Sequence, residues 1–192
     1  YGIAGKARLR VQGAVLEAAR VHEINLRFDT ADGALTAARC ALRLRQDSRA
    51  RMTFKSPMLP GQAVSVREEI EFEVSDFKAA RDFLQALGYE LVIIYEKYRT
   101  AYTLMDCEVL LDELPFGNFC EIEGTNIYSI RMAAEQLGLH WSDSILDSYL
   151  GLFSKLRHTK KVKAENLTFQ AFEGVQLTAE DLGVIPADLS SQ

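Results

Sequence analysis

Between Val66 and Val74 the chain reads V-R-E-E-I-E-F-E-V, and its parity separates two kinds of chemistry. Ile70, Phe72 and Val74 fall on one side of an extended chain, and Arg67, Glu69, Glu71 and Glu73 on the other. Successive strand side chains point to opposite faces, so this stretch predicts a strand with an apolar and an ionic face. The pattern recurs with cations. Ala41 to Arg45 sets Leu42 and Leu44 against Arg43 and Arg45. A turn at Gln46 to Ala50 then leads to a hairpin partner on which Arg51, Thr53 and Lys55 share a side. Lys6 to Val11 alternates in the same way and predicts a strand carrying Lys6, Arg8 and Arg10. Glu90 to Leu104 predicts one strand or two, with Lys97 and Arg99 opposite Tyr98, Tyr102 and Leu104. Cys107 to Leu114 carries Asp112, and Phe119 to Glu123 puts Glu121 and Glu123 on one face.

Helical spacing interrupts these strands. Phe77, Ala80, Phe83, Leu84 and Leu87 predict a helix capped by Ser75 or Asp76 and closed by Gly88. Asn126 opens a second helix through Leu137, closed by Gly138, and Ser144 to Leu156 predicts a third. Ala14 to Arg20 is rich in helix formers and predicts a short helix before an extended Val21 to Phe28. Thr30-Ala31-Asp32-Gly33 has turn chemistry, and Pro57 to Gly61 predicts a loop. After residue 158 the pattern is less regular, with Lys160, Lys161 and Lys163 reading as a solvated linker to a short terminal element. The order predicts an α+β fold with a large antiparallel sheet and helices packed outside on its apolar face. Closing or nearly closing the sheet would place the charges around an interior. One domain over residues 1–157 and an extension over 158–192 follow.

At 192 residues and 48% hydrophobic, the chain supports one sizeable core. Its net charge of -5 argues against a general nucleic-acid or acidic-membrane surface. Cys40, Cys107 and Cys120 have no metal-ligand spacing, and His22, His140 and His158 form no ligand pair. No apolar run approaches a membrane span, and no signal-peptide pattern opens the sequence. A soluble cytoplasmic protein is expected, without nucleic acid or membrane as partner; a homodimer is compatible with the sequence.

The same-parity cations are Lys6, Arg8, Arg43, Arg45, Lys55, Arg67, Lys97 and Arg99. The matching acids are Glu69, Glu71, Glu73, Asp112, Glu121 and Glu123. Converging guanidinium and ammonium groups suit a polyanion, and paired carboxylates suit a hard divalent ion. Together they have the composition of a metal-assisted phosphoryl-transfer site. Parity alone leaves a second reading open, that of cross-strand ion pairs on an exposed face, each worth about 0.5 kcal/mol.

A resemblance adds to this. Phe28-Asp29-Thr30, Ala41-Leu42-Arg43-Leu44-Arg45, Thr53-Phe54-Lys55, Arg67-Glu68-Glu69-Ile70-Glu71, Glu96-Lys97-Tyr98-Arg99, Leu111-Asp112 and Phe119-Cys120-Glu121-Ile122-Glu123-Gly124 occur in the order of the CYTH domain. Over residues 6 to about 150 the chain resembles this family, also called triphosphate tunnel metalloenzymes. The family contains class IV adenylyl cyclases, thiamine triphosphatases and inorganic triphosphatases. The resemblance implies an eight-stranded antiparallel tunnel that binds a triphosphate-containing small molecule with Mg²⁺ or Mn²⁺. Arg43, Arg45, Lys55 and Arg99 would grip phosphates, with Arg8, Arg67 and Lys97 as further grips. Lys6 would be the lysine of the family's opening motif, and Lys6, Arg99 and Asp112 the catalytic group. Glu121 and Glu123 would hold metal with Asp112 nearby, while Glu69, Glu71 and Glu73 line the tunnel. The implied activity is hydrolysis of inorganic triphosphate, a nucleoside triphosphate or thiamine triphosphate; the alternatives are an adenylyl cyclase or a weakened binder.

The family opens with Glu-x-Glu-x-Lys, whereas Gly2 and Ala4 stand four and two positions before Lys6. That reading removes both acids and would impair one metal site while sparing the phosphate grip. The family's helical stretch between its first two strands is also longer than Val11 to Val15 allows. Tyr149, beside Ser148 where the family often carries a Ser-Tyr pair, is read as a packed tyrosine. Trp141 is read as core or helix-flank packing, and His22 beside Glu23 as structural.

Overall fold

The computed structural model describes residues 3–59, 61, 66–159 and 161–186. Seven strands form one sheet: β1 (Val15–Thr30), β2 (Ala41–Gln46), β3 (Ala50–Lys55), β4 (Glu69–Val74), β5 (Tyr89–Leu104), β6 (Cys107–Leu114) and β7 (Gly117–Gly124). Their order is β4-β3-β2-β1-β5-β6-β7, and the β1–β2, β2–β3, β3–β4, β5–β6 and β6–β7 pairings are antiparallel. The helices are α1 (Ile3–Val11), α2 (Ala34–Ala37), α3 (Phe77–Ala86), α4 (Ile127–Gln136), α5 (Tyr149–His158) and α6 (Ala179–Leu182). The α+β class and antiparallel sheet are as expected. Among the described residues the sheet has seven strands, with β4 and β7 at the two ends of its order.

The chain divides into two compact units. The first comprises the described residues within 1–21, 98–164 and 172–192. Its core joins Tyr102, Leu104, Val109 and Leu111 of the strands to Leu9 of α1, Ala133 of α4 and Leu137 at that helix's C-cap. Arg99, Asp112 and Glu121 have the opposite parity and occupy the ionic face. One helix departs from the expectation that helices lie on the apolar side. The Tyr149 ring of α5 packs 5.1 Å from Phe119, which pairs with Asp112 across β6 and β7 on the ionic face.

The second unit comprises residues 22–97 and 165–171. Leu26, Phe28, Leu42 and Leu44 pack against Ala80 and Leu84 of α3. That helix is capped as predicted, with Asp76 accepting from the Ala79 N–H, and the chain leaves it through Gly88 at φ 90°. The tail segment folds back within this unit: Leu167 exchanges backbone hydrogen bonds with Ile94 and Glu96, each 2.9 Å. Strand β4 lies at the sheet edge with Ile70 and Phe72 more than half exposed, so its apolar side lacks the helix cover given to β1 and β2.

Three element predictions are corrected. The strand expected over Lys6 to Val11 is α1. Lys, Ala, Arg and Leu all favour helix, and a six-residue alternation does not distinguish the periods. Only Leu9 anchors the segment, at 1% exposure, while Val11 is 81% exposed. Lys6 and Arg8 are therefore helix residues, and Arg8 reaches the Leu137 carbonyl at 3.5 Å. Ala4 lies in the same helix, so the opening-strand comparison does not hold there, and Gly2 lies outside the described residues. The helix expected over Ala14 to Arg20 is the first half of β1, where strand pairing overrides propensity. The third helix begins at Tyr149 and not Ser144, because Ser148 caps it by accepting from the Gly151 N–H at 3.1 Å. Lys160 lies outside the described residues; Lys161 is exposed and pairs with Asp181 at 2.9 Å.

Asp29 fixes the turn after β1. It accepts from the N–H groups of Thr30, Leu35 and Thr36 at 2.8, 2.8 and 2.9 Å and from the Thr36 hydroxyl. Burial pushes its carboxyl up, but the Thr36 hydroxyl and these N–H groups hold it down at about 2. A depressed pKa contributes stability above the unfolded value of 3.8, lost as pH falls through about 2. Asp29→Ala is expected to lower stability at pH 7 by about 2 kcal/mol, with a smaller deficit at pH 2, read by urea denaturation at both pH values.

Candidate functional site

In the second unit, antiparallel register builds the ionic face from four strands. Arg27 pairs with Arg43, Asn25 with Arg45, Arg43 with Thr53, and Thr53 with Glu71. Arg43, Arg45 and Lys97 are all at least nine-tenths buried. Burying cations is unfavourable unless acids or hydrogen bonds face them. Arg43 Nη2 donates to Thr53 Oγ1 at 3.1 Å and to Glu71 Oε2 at 3.4 Å, while Thr53 Oγ1 donates to Glu71 at 2.7 Å. Arg51 stands 3.7 Å from the other Glu71 oxygen. Lys55 and Arg67 share Glu69 at 2.7 and 3.2 Å. Arg45 and Lys97 flank Glu23 at 3.7 and 3.6 Å.

These contacts set the protonation states. Burial lowers the Lys55 pKa, partly opposed by Glu69. Burial also pulls on Arg43, but Tyr95, Glu71 and Glu23 outweigh it and its pKa is raised. Glu71 is pushed up by burial and brought below the usual range by Thr53, Arg45, Arg43 and Arg51. Glu69 is likewise depressed, against burial, by Lys55 and Arg67.

The first unit carries a separate group. Arg99 opposes Asp112 across β5 and β6 and donates from Nε at 2.6 Å and also from Nη2, a bidentate pair on a carboxylate with no exposed side-chain surface. Its Nη2 reaches Glu121 as well, at 2.5 Å. The Tyr149 hydroxyl donates to Asp112 Oδ2 at 3.0 Å. Burial, then Glu121 and Asp112, push the Tyr149 pKa well above its ordinary value, so the phenol stays a donor. Tyr149 is thus packed, as the sequence suggests, and also part of this group.

The expected acids are spread out. Glu69 and Glu71 face cations, Glu73 pairs with Arg49 at an exposed position, and Glu123 is exposed opposite Glu108. Among the described residues no three His, Cys, Asp or Glu side chains form a metal-binding group. Lys6 and Arg8 do not join the ionic sheet face, because α1 is not a strand. Glu23, Asn25 and Arg27 join the face without having been singled out, and Thr53 stands where its parity predicts. The alternation from His22 to Asp29 is the signal that places the first three there.

Removing Arg99 would leave Asp112 a buried charge without its bidentate partner. Arg99→Met is expected to lower stability by about 3–5 kcal/mol in urea unfolding, with Arg99→Met/Asp112→Leu recovering most of the loss. Equal destabilisation by the single and double variants would contradict this.

The family model of the CYTH domain matches residues 5–127. Among solved structures, a candidate adenylate cyclase from Vibrio parahaemolyticus is similar at TM-score 0.71 and 19% identity, over 80% of this chain and 92% of that one. A protein of Pyrococcus horikoshii OT3 is similar at TM-score 0.66 and 22% identity, over 77% of this chain and 90% of that one. A candidate adenylyl cyclase from Hippeastrum, described as revealing a dominant triphosphatase activity, is similar at TM-score 0.54 and 20% identity, over 70% of this chain and 80% of that one. No curated protein matches the chain, and no described helix is long and apolar enough to cross a membrane. From the matched family model, supported by the sheet and its ionic face, the chain belongs to the CYTH family.

Proposed function

We propose that the chain is a metal-dependent hydrolase of a triphosphate-containing substrate, whether inorganic triphosphate, a nucleoside triphosphate or thiamine triphosphate. The observation that carries this reading is the buried cation set on β2 and β5. Arg43, Arg45 and Lys97 are withdrawn from water on one sheet face, beside Lys55 and Arg67. Guanidinium forks bind phosphate oxygens in pairs, and a desolvated site strengthens that attraction. The family and the described triphosphatase activity of the Hippeastrum protein agree with it.

The residues present fit a divalent ion in a restricted way. Magnesium commonly takes one or two carboxylates and completes its shell with water and substrate phosphates. Asp112 and Glu121, both reached by Arg99, supply such a pair. The β4 acids fit less well, each being matched by its own cation. A bound metal would neutralise charge on the phosphate oxygens. Arg43, Arg45 and Lys97 would hold the phosphate chain, with Lys55 and Arg67 as outer grips.

The cyclase descriptions of two structural neighbours support a second reading, 3′-hydroxyl attack within ATP. Products separate the two. Phosphate release from inorganic triphosphate, ATP and thiamine triphosphate is expected with Mg²⁺ or Mn²⁺ and should stop with EDTA. Arg43→Ala or Arg45→Ala should raise KM about 10- to 100-fold, the loss of a charge-assisted contact. Pyrophosphate with cyclic AMP would replace the hydrolase reading with the cyclase. Neither binding nor turnover would return the ionic face to a purely structural role.

A further inference from the structure

Two buried side chains on β1 carry polar atoms without hydrogen-bond partners among the described residues. Glu23 is 2% exposed and Asn25 is wholly buried. They stand two residues apart on one strand and so share a face. Glu23 Oε2 and both polar atoms of the Asn25 amide have no hydrogen-bond partner among the described residues. The neighbouring cations do not meet this demand. Arg45 and Lys97 stand 3.7 and 3.6 Å from the Glu23 oxygens, beyond direct hydrogen bonding. Buried polar groups are nearly always paired, and a charged contact longer than about 3.5 Å commonly has water between the groups.

The chemistry of the surroundings selects the occupant. An oxyanion here would meet the Glu23 carboxylate, and a metal cation would meet Arg45 and Lys97. A neutral molecule that both donates and accepts suits all four groups. It donates to Glu23 Oε2 and Asn25 Oδ1, and accepts from Asn25 Nδ2, Lys97 or Arg45. Buried waters typically make about three such bonds.

We propose that Glu23 and Asn25 form a water-binding site on β1, and that its water is the one consumed in hydrolysis. This second part rests on the triphosphate reading above. The water oxygen bonds to the terminal phosphorus while the bridging P–O bond breaks and its electron pair leaves on the diphosphate. One water proton stays on the orthophosphate and the other leaves to solvent. Glu23 and Asn25 are positioning residues. Their task is hydrogen bonding, so an amide in place of Glu23 performs it and an apolar side chain does not.

The test combines structure and kinetics on the full chain. A high-resolution crystal structure without ligand is expected to show one water bonded to both Glu23 and Asn25; if no water bridges them, the site is refuted, whether or not the protein hydrolyses anything. With inorganic triphosphate and Mg²⁺, Glu23→Gln should keep kcat within about threefold. Glu23→Met and Asn25→Leu should lower kcat about 100-fold while KM changes less than threefold. Should Asn25→Leu keep parental kcat and melt higher, its amide holds nothing that matters. Should Glu23→Gln fall as far as Glu23→Met, charge and not water-holding is its role. If the parent protein turns over no triphosphate while the water is present, the functional reading fails and the binding site stands.

Discussion

The structure depends on keeping cations out of water along one side of a sheet. Arg43, Arg45 and Lys97 are buried where an apolar side chain would be simpler to accommodate. An isolated buried charge is unfavourable by several kcal/mol even after relaxation. Each cation therefore has an acid or hydroxyl facing it, and the register places those groups. Thr53 opposes Arg43 on one side and Glu71 on the other, so one hydroxyl links a guanidinium to a carboxylate across three strands. The opposite faces of β1 and β2 fill the core with Leu26, Phe28, Leu42 and Leu44, and this fixes the parity. A slip of one residue would bring the charges into that core.

This constraint explains what the sequence displayed and what it concealed. Strict alternation made β2, β3, β6 and β7 legible, since leucines and ionic residues cannot exchange faces. Caps did the same for α3 and α4 through Asp76 and Asn126. The errors of period fall where burial leaves little pattern to read. Over Lys6 to Val11 only Leu9 is buried, and a lone anchor fits a helix as well as a strand. The first half of β1 exposes its side chains, so burial left no alternation to read and local propensity pointed the wrong way.

The candidate site was legible to the same degree. Arg43, Arg45, Lys55, Lys97, Arg99, Asp112 and Glu121 were found because charge on a half-buried strand is conspicuous. Asn25 was not, being uncharged and informative only once its strand partner is known. Tyr149 was hidden for another reason. Its contact with Asp112 joins a helix to a strand 37 positions away, and no periodicity encodes that meeting.

The ionic groups differ in how closely they are matched. Asp112 meets Arg99 through two nitrogens and accepts a third bond from Tyr149. Such a group is electrostatically complete, and a ligand must offer comparable oxygens to displace any member of it. Glu23 is matched more loosely, with both cations beyond hydrogen-bond reach and one oxygen unmet among the described residues. Loose matching at full burial keeps hydrogen-bonding capacity that a closed ion pair would consume.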